Sequence, residues 1–200
     1  SGAAWSLYCE EIERLPVPER TALGLEPGRA PFWDLYLYVT WLVLNTAVRL
    51  AALTALERPV ELFGMFADPD SVALLGRRPN LIYRGNAHQF RELPRVFAET
   101  RVNICVSNAL IAEGVPSKFI DCVASGGFAL VDDKADLRRL FGPEIERITF
   151  RTPEELHEKA DYFLARPAER AEVVAWLRET IDRECTLQRL FERVLDDGRS

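Results

Sequence analysis

Glu113 to Gly127 reads EGVPSKFIDCVASGG, and its residue types combine a seat for an anion with a grip for hydroxyls. A helix begun at Pro116 or Ser117 leaves the amides of Ser117, Lys118 and Phe119 without helical partners. Those amides, aided by the helix dipole, suit a phosphate or diphosphate. Gly114 lets a ligand approach the backbone closely, and Pro116 gives up an amide that a first turn would leave unpaired anyway. At 100° per residue, Phe119, Ile120, Val123 and Ala124 fall on one side and are expected to face a sheet. Lys118, Asp121 and Ser125 fall opposite, where Asp121 can accept hydrogen bonds from two adjacent hydroxyls, as on a ribose. A plainer reading stands beside this one. Lys118 and Asp121, three apart, form a solvent-exposed pair, and Gly126-Gly127 merely ends the helix.

The elements that must position this segment alternate between short apolar strands and helices. Strands are expected at VELFGMF (60–66), LIY (81–83), VNICV (102–106), GFALVDD (127–133) and ERITF (146–150). Helices are expected from about 32 to 57, in SVALLG, at 90–100, at ADLRRLFG with Gly142 as its stop, after Thr152, at about 168–183 and at 186–195. Thr152-Pro153-Glu154-Glu155 is a strong helix start: threonine caps, proline takes the first helical position, and Glu155 closes a capping box. LPVPER and LEPGRAP read as loops. The pattern implies an α/β domain, a doubly wound parallel sheet with helices on both faces and a helical carboxyl terminus. In such sheets ligands sit outside the carboxyl ends of the strands, here the loops at 66–70, 84–88 and 107–117.

Composition narrows the function classes. The net charge of −6 argues against a nucleic-acid partner. Cys9, Cys105, Cys122 and Cys185 form no CxxC pair, and His88 and His157 are the two histidines, so no metal site and no cofactor are expected. Cys105 and Cys122 read as core residues, and a reducing cytoplasm as the compartment. Residues 33–56 are apolar enough to suggest a membrane span. Asp34, Asn45 and Arg49 interrupt them, and the expectation is a long, mostly buried helix, with peripheral membrane contact as the alternative.

The acids Glu113 and Asp121, with seven residues between them and followed by Ser125-Gly126, resemble the E-x7-E region of retaining GT-B glycosyltransferases of the family 4 type. The branch that includes spore-maturation CgeB-like proteins is more similar still. The likeness lies in VRLAALTALERPVELFG, YRGNAHQFRELPRVFAETRVNICV, PSKFIDCVASGGFALVDDKADLRRLF and TPEELHEKADYFLARPAER, spanning about Val48 to Leu195. The resemblance implies that residues 32–200 are the carboxyl-terminal, nucleotide-sugar-binding half of a GT-B fold, with residues 1–31 an extension or a remnant of a preceding region. It further implies a retaining transfer of a sugar from a nucleotide-diphosphate donor to an acceptor hydroxyl. The isolated chain would be inactive, its amino-terminal GT-B domain being absent.

Residue by residue, Glu113 matches the acid near the donor sugar and reaction centre, and Asp121 the acid that binds ribose. Val115, Pro116, Ser117 and Lys118, with Gly114, match the segment that meets diphosphate and sugar. Gly85 and Asn86 match the loop that holds the base; Ser107 and Asn108 face the phosphates. Asp121 is one methylene shorter than the glutamate of the pattern, and Pro116 stands where a small glycine is usual. Lys118, Arg77, Arg78 and Arg84 are candidate diphosphate cations. Arg49 matches an arginine of the branch, with a structural role as the alternative, and His88 is either a hydrogen-bonding partner for the donor or an exposed loop residue. A non-catalytic nucleotide-sugar or protein-interaction module is the alternative function. A receiver-like signalling domain, suggested by Asp132-Asp133 after a strand, is disfavoured because VNICV is followed by Ser107 rather than a phospho-acceptor acid.

Overall fold

The structure, a computed structural model, describes residues 14, 16–22, 48–64, 78–107, 113–186, 188, 189, 191 and 195. The chain divides into two compact units, Ser1–Arg49 and Leu50–Ser200. In the first, α1 (Val17–Ala22) buries none of its residues. Residues 17–20 of LPVPER are therefore helical rather than part of the expected loop. The carbonyl of Pro16 accepts from the amides of Glu19 and Arg20, both at 3.0 Å, and Pro18 lies in the first turn, where a missing amide costs nothing.

In the second unit, residues 50–54 are helical. Only Ala52 and Leu56 of the stretch 50–56 are buried, so the described part of the expected 32–57 helix is a half-covered surface helix. Asn80 holds its end, its side-chain amide donating to the carbonyls of Leu53 and Leu56 at 2.9 Å each. Residues 32–47, 65–77 (with SVALLG) and most of 186–195 lie outside the described residues.

The strands pair parallel throughout. β1 (Val60–Phe63) pairs with β2 (Leu81–Gly85). β3 (Asn103–Cys105), β4 (Ala129–Asp132) and β5 (Thr149–Phe150) form a separate three-stranded sheet in that order. The fold is thus mixed α/β with parallel sheets, as the alternation predicted. β4 is central, and Ala129, Leu130 and Val131 are fully buried, the continuous apolar run of a strand covered on both faces. The helices are α2 (Leu93–Glu99), α3 (Ser117–Ala124), α4 (Ala135–Phe141), α5 (Pro153–Leu164) and α6 (Pro167–Glu184). ERITF is mostly not a strand. Gly142 and Pro143 turn the chain into a 3-10 helix, Pro143–Arg147, which buries Ile145. Only Thr149 and Phe150 remain to pair with β4.

Two polar details lock α2 and α3 onto this sheet. Asn103, buried in β3, donates from its side chain to the carbonyls of Phe97 and Phe128, each at 3.0 Å. Gly127 follows α3 where a Cβ would lie 2.6 Å from the Phe97 oxygen and 2.8 Å from Cys122 Sγ. Only glycine lets α2 and α3 approach so closely. Phe119, Phe141 and Trp176 then stack edge to face, binding α3 to α4 and α6.

Candidate active site at the strand ends

The carboxyl ends of β3 and β4 meet at a side-chain clamp. Beyond the last residue of β4 that faces a β3 partner, Asp132 accepts from the Ser107 amide at 2.7 Å and, on its other oxygen, from the Ser107 hydroxyl. The Lys134 ammonium lies 3.4 Å from the same carboxylate, with side-chain exposures of 13% and 20%. Beneath them, burial pushes the Cys105 thiol up to about 12. The Lys118 ammonium pulls it down and Asp132 pushes it further up, so both charges act at this strand end. Burial likewise raises Cys122. Both thiols are therefore protonated packing residues rather than nucleophiles.

The loop into α3 turns at Gly114, whose φ of 108° is a left-handed conformation suited to glycine. Val115 and Pro116 are half-buried. Pro116 takes the N-cap position with extended backbone, and no side chain caps the helix. The amides of Ser117 and Lys118 donate to no carbonyl among the described residues. Phe119 departs from expectation: its amide is not free but donates to the Pro116 carbonyl at 2.9 Å. This first-turn bond leaves two open donors instead of three.

The helix is also rotated from its expected seat. Phe119, Cys122 and Val123 are fully buried, while Ala124 is exposed. The cause is that α3 packs against α6 and α2 as well as against the strands. Lys118 and Asp121 stay exposed, and among the described residues neither makes an ion pair, so the plain Lys118–Asp121 pair is not formed. At its far end α3 stops in a Schellman turn. Gly127 N–H reaches the Cys122 carbonyl and Gly126 N–H the Val123 carbonyl, both at 2.9 Å. The plain reading of the glycine pair as a helix stop is correct.

Glu113 lies at the mouth of this loop. Its carboxylate is 62% exposed and 3.7 Å from Arg139 of α4. Gly85 ends β2, and its carbonyl accepts from the Gly64 amide at 3.0 Å. Asn86 lines an open cavity of about 380 Å³ beside α2, together with Phe63, Arg84, Arg91, Arg95 and Glu99. Arg84 is engaged with Glu61 at 2.5 Å and Arg95 with Glu99 at 2.7 Å. His88 is exposed; its ring nitrogen accepts from the Phe90 amide at 3.3 Å, and its backbone amide donates to Glu92 at 2.6 Å. It is thus part of the turn into α2. Arg78 and Arg49 are exposed, while Arg77 and Asn108 lie outside the described residues.

The structure brings Ser107, Lys118 and Asp132 to one strand end, with Gly114 to Ser117 leading into it. Gly85 and Asn86 belong to the cavity beside α2. Sequence reasoning missed Asp132 and Lys134 as parts of the site. The available signal was a pair of acids and a lysine directly after the apolar strand ALV. Among the described residues no group of histidine, cysteine or acid side chains is arranged to hold a metal ion, and no helix is long and apolar enough to cross a membrane.

Comparison with solved structures finds the catalytic domain of cholesterol-alpha-glucosyltransferase from Helicobacter pylori. It matches with a TM-score of 0.51 and 17% identity over 70% of this chain and 90% of that one. At that identity the likeness shows the fold, an α/β arrangement of the GT-B kind. No curated protein sequence matches the chain. The family described as glycosyl transferase-like matches residues 49–196, nearly the whole second unit. That match covers most of the sequence and includes both acids, the open start of α3 and the clamped end of β3: the chain belongs to the glycosyl transferase-like family.

Proposed function

We propose that this domain binds the nucleotide-diphosphate portion of a sugar donor at the start of α3 and takes part in transferring the sugar, with retention, to an acceptor hydroxyl. The observation that carries the reading is the pair of amides at Ser117 and Lys118, which donate to no carbonyl among the described residues, behind the left-handed turn at Gly114. They point positive dipole ends at the place where an anion would rest, and Lys118 adds a full charge. Asp121, exposed and one turn on, accepts from the ribose hydroxyls. Glu113 orients the donor sugar, and the Gly85-Asn86 loop holds the base beside the cavity. As the glycosidic bond to the diphosphate breaks, the α3 amides and Lys118 stabilise the negative charge that the leaving group gains. The acceptor side is left to a second GT-B domain.

Calorimetric titration with UDP-, GDP-, ADP- and dTDP-glucose tests this directly. One donor is expected to bind, and Asp121→Ala to weaken it about tenfold, the loss of a charge-assisted pair of hydrogen bonds. Affinity unchanged by Asp121→Ala would remove the ribose role. No binding by any of the four would overturn the donor site. A second reading, a donor-binding module without turnover, is favoured by the short reach of Asp121. It predicts binding with neither transfer nor donor hydrolysis when the full-length protein is assayed.

A further inference from the structure

We infer that Asp132 is a positioning residue for the donor site: it fixes Ser107 at the end of β3 and turns it into an acceptor. This rests on the donor-site reading above. The backbone ladder between β3 and β4 ends at the pair Cys105–Val131. Among the described residues no backbone pair between the two strands follows it, and this is where ligands of parallel sheets lie. Asp132 continues the ladder with its side chain. One oxygen takes the Ser107 amide at 2.7 Å and the other takes its hydroxyl, across a sequence separation of 25 residues. Two bonds from one residue to one carboxylate fix both the backbone and the side-chain rotamer of Ser107, and both are charge-assisted.

Two consequences follow for the site. The hydroxyl proton of Ser107 is committed to Asp132, so its remaining capacity is that of an acceptor. Ser107 therefore cannot supply a hydrogen bond to phosphate, and that task falls to the α3 amides and Lys118. The Asp132 carboxylate would repel a diphosphate. Its lone pairs toward β3 are occupied by Ser107, and Lys134, 3.4 Å away, offsets its charge. The clamp thus holds the strand end firmly while limiting the field it projects toward a bound anion.

Its neighbour supplies the control. Asp133 turns the other way, to Arg138 and Arg151, and has no contact with Ser107. The test is a double-mutant cycle on donor affinity, using whichever of UDP-, GDP-, ADP- or dTDP-glucose the wild-type chain binds, with melting curves on every variant. Asp132→Asn is expected to weaken the donor about tenfold and Ser107→Ala about threefold. The double variant should be no weaker than Asp132→Asn, because both changes remove one device. Asp133→Asn should lower the melting temperature and leave affinity alone. Should Asp132→Asn fail to fold, Ser107→Ala with an unchanged melting curve must still weaken the donor. Wild-type affinity in Asp132→Asn or Ser107→Ala, or losses that multiply in the double variant, overturn the inference while leaving the donor site standing. A wild-type chain that binds none of the four donors overturns the donor site and this inference with it.

Discussion

Two helices of this unit follow strands in the chain, and their first turns are built in opposite ways. At α5 every device for closing a helix start is present. Thr152 accepts from the Glu155 amide at 3.2 Å, and Glu155 reaches back to the Arg151 amide at 2.8 Å. Glu154 is held below the usual carboxylate range by its own amide and then by the Thr152 hydroxyl. The helix consumes its own positive end. At α3 a proline stands in the cap position, no side chain among the described residues caps the first turn, and no acid lies within it. The same backbone physics yields a finished structural joint in one place and an open electrostatic socket in the other. The difference is local sequence: T-P-E-E against V-P-S-K.

The comparison can be broken by exchanging the two states. Pro116→Asp installs a cap and a negative charge where the donor's diphosphate is proposed to rest. It should weaken donor binding by more than tenfold in calorimetry. It should also raise thermal stability by about 1 kcal/mol, or roughly 2–4 °C for a chain of this size. A variant that gained stability and kept its affinity would place the anion elsewhere. In the other direction, Thr152→Ala should cost about 1 kcal/mol in a denaturant melt with donor affinity unchanged. A matching loss of affinity would show that α5 also serves the ligand.

The smallest effect sharpens the contrast between engaged and free carboxylates. Asp133, 11% exposed, is held below the usual carboxylate range by its hydrogen bond from Arg138 and then by Arg151. Its folded-state pKa is depressed. The stability it contributes is therefore present above the unfolded value of about 3.9 and is lost as pH falls through the folded value. Arg151 is exposed and Arg138 partly so, and solvent screens both, so the contribution is below about 1 kcal/mol. Asp133→Asn should lower stability by that amount at pH 7 and flatten the acid limb of the stability profile below about pH 4. A full acid limb in Asp133→Asn would assign it to other carboxylates.

Much of this architecture was legible in local patterns. Pro116-Ser117, Gly126-Gly127 and Thr152-Pro153 announce helix ends by residue type alone, and the structure starts and stops helices there. The apolar strands were legible as β3 and β4, though only Asn103–Cys105 and Ala129–Asp132 pair. What local pattern does not carry is tertiary. A helical wheel cannot say that α3 is pressed by α2 and α6 as well as by strands: it puts Ala124 on the sheet-facing side, yet Ala124 is exposed, while Cys122, legible as core from its apolar neighbours, is buried. The Ser107–Asp132 clamp joins residues distant in sequence. Seen singly, Ser107 looks like a phosphate donor and Asp132 like a strand-end acid. Residues 146–150 alternate well enough for a strand, but Gly142-Pro143 upstream forces a tight turn, and burial of Ile145 supports it.

The absence of a side chain at Gly127 makes mechanical partners of α2 and α3. With the Phe97 oxygen and the Cys122 sulfur already crowding the place of a methyl group, any side chain there would have to push the two helices apart. The spacing between α2 and α3 is thus set by a single residue that carries no side chain of its own.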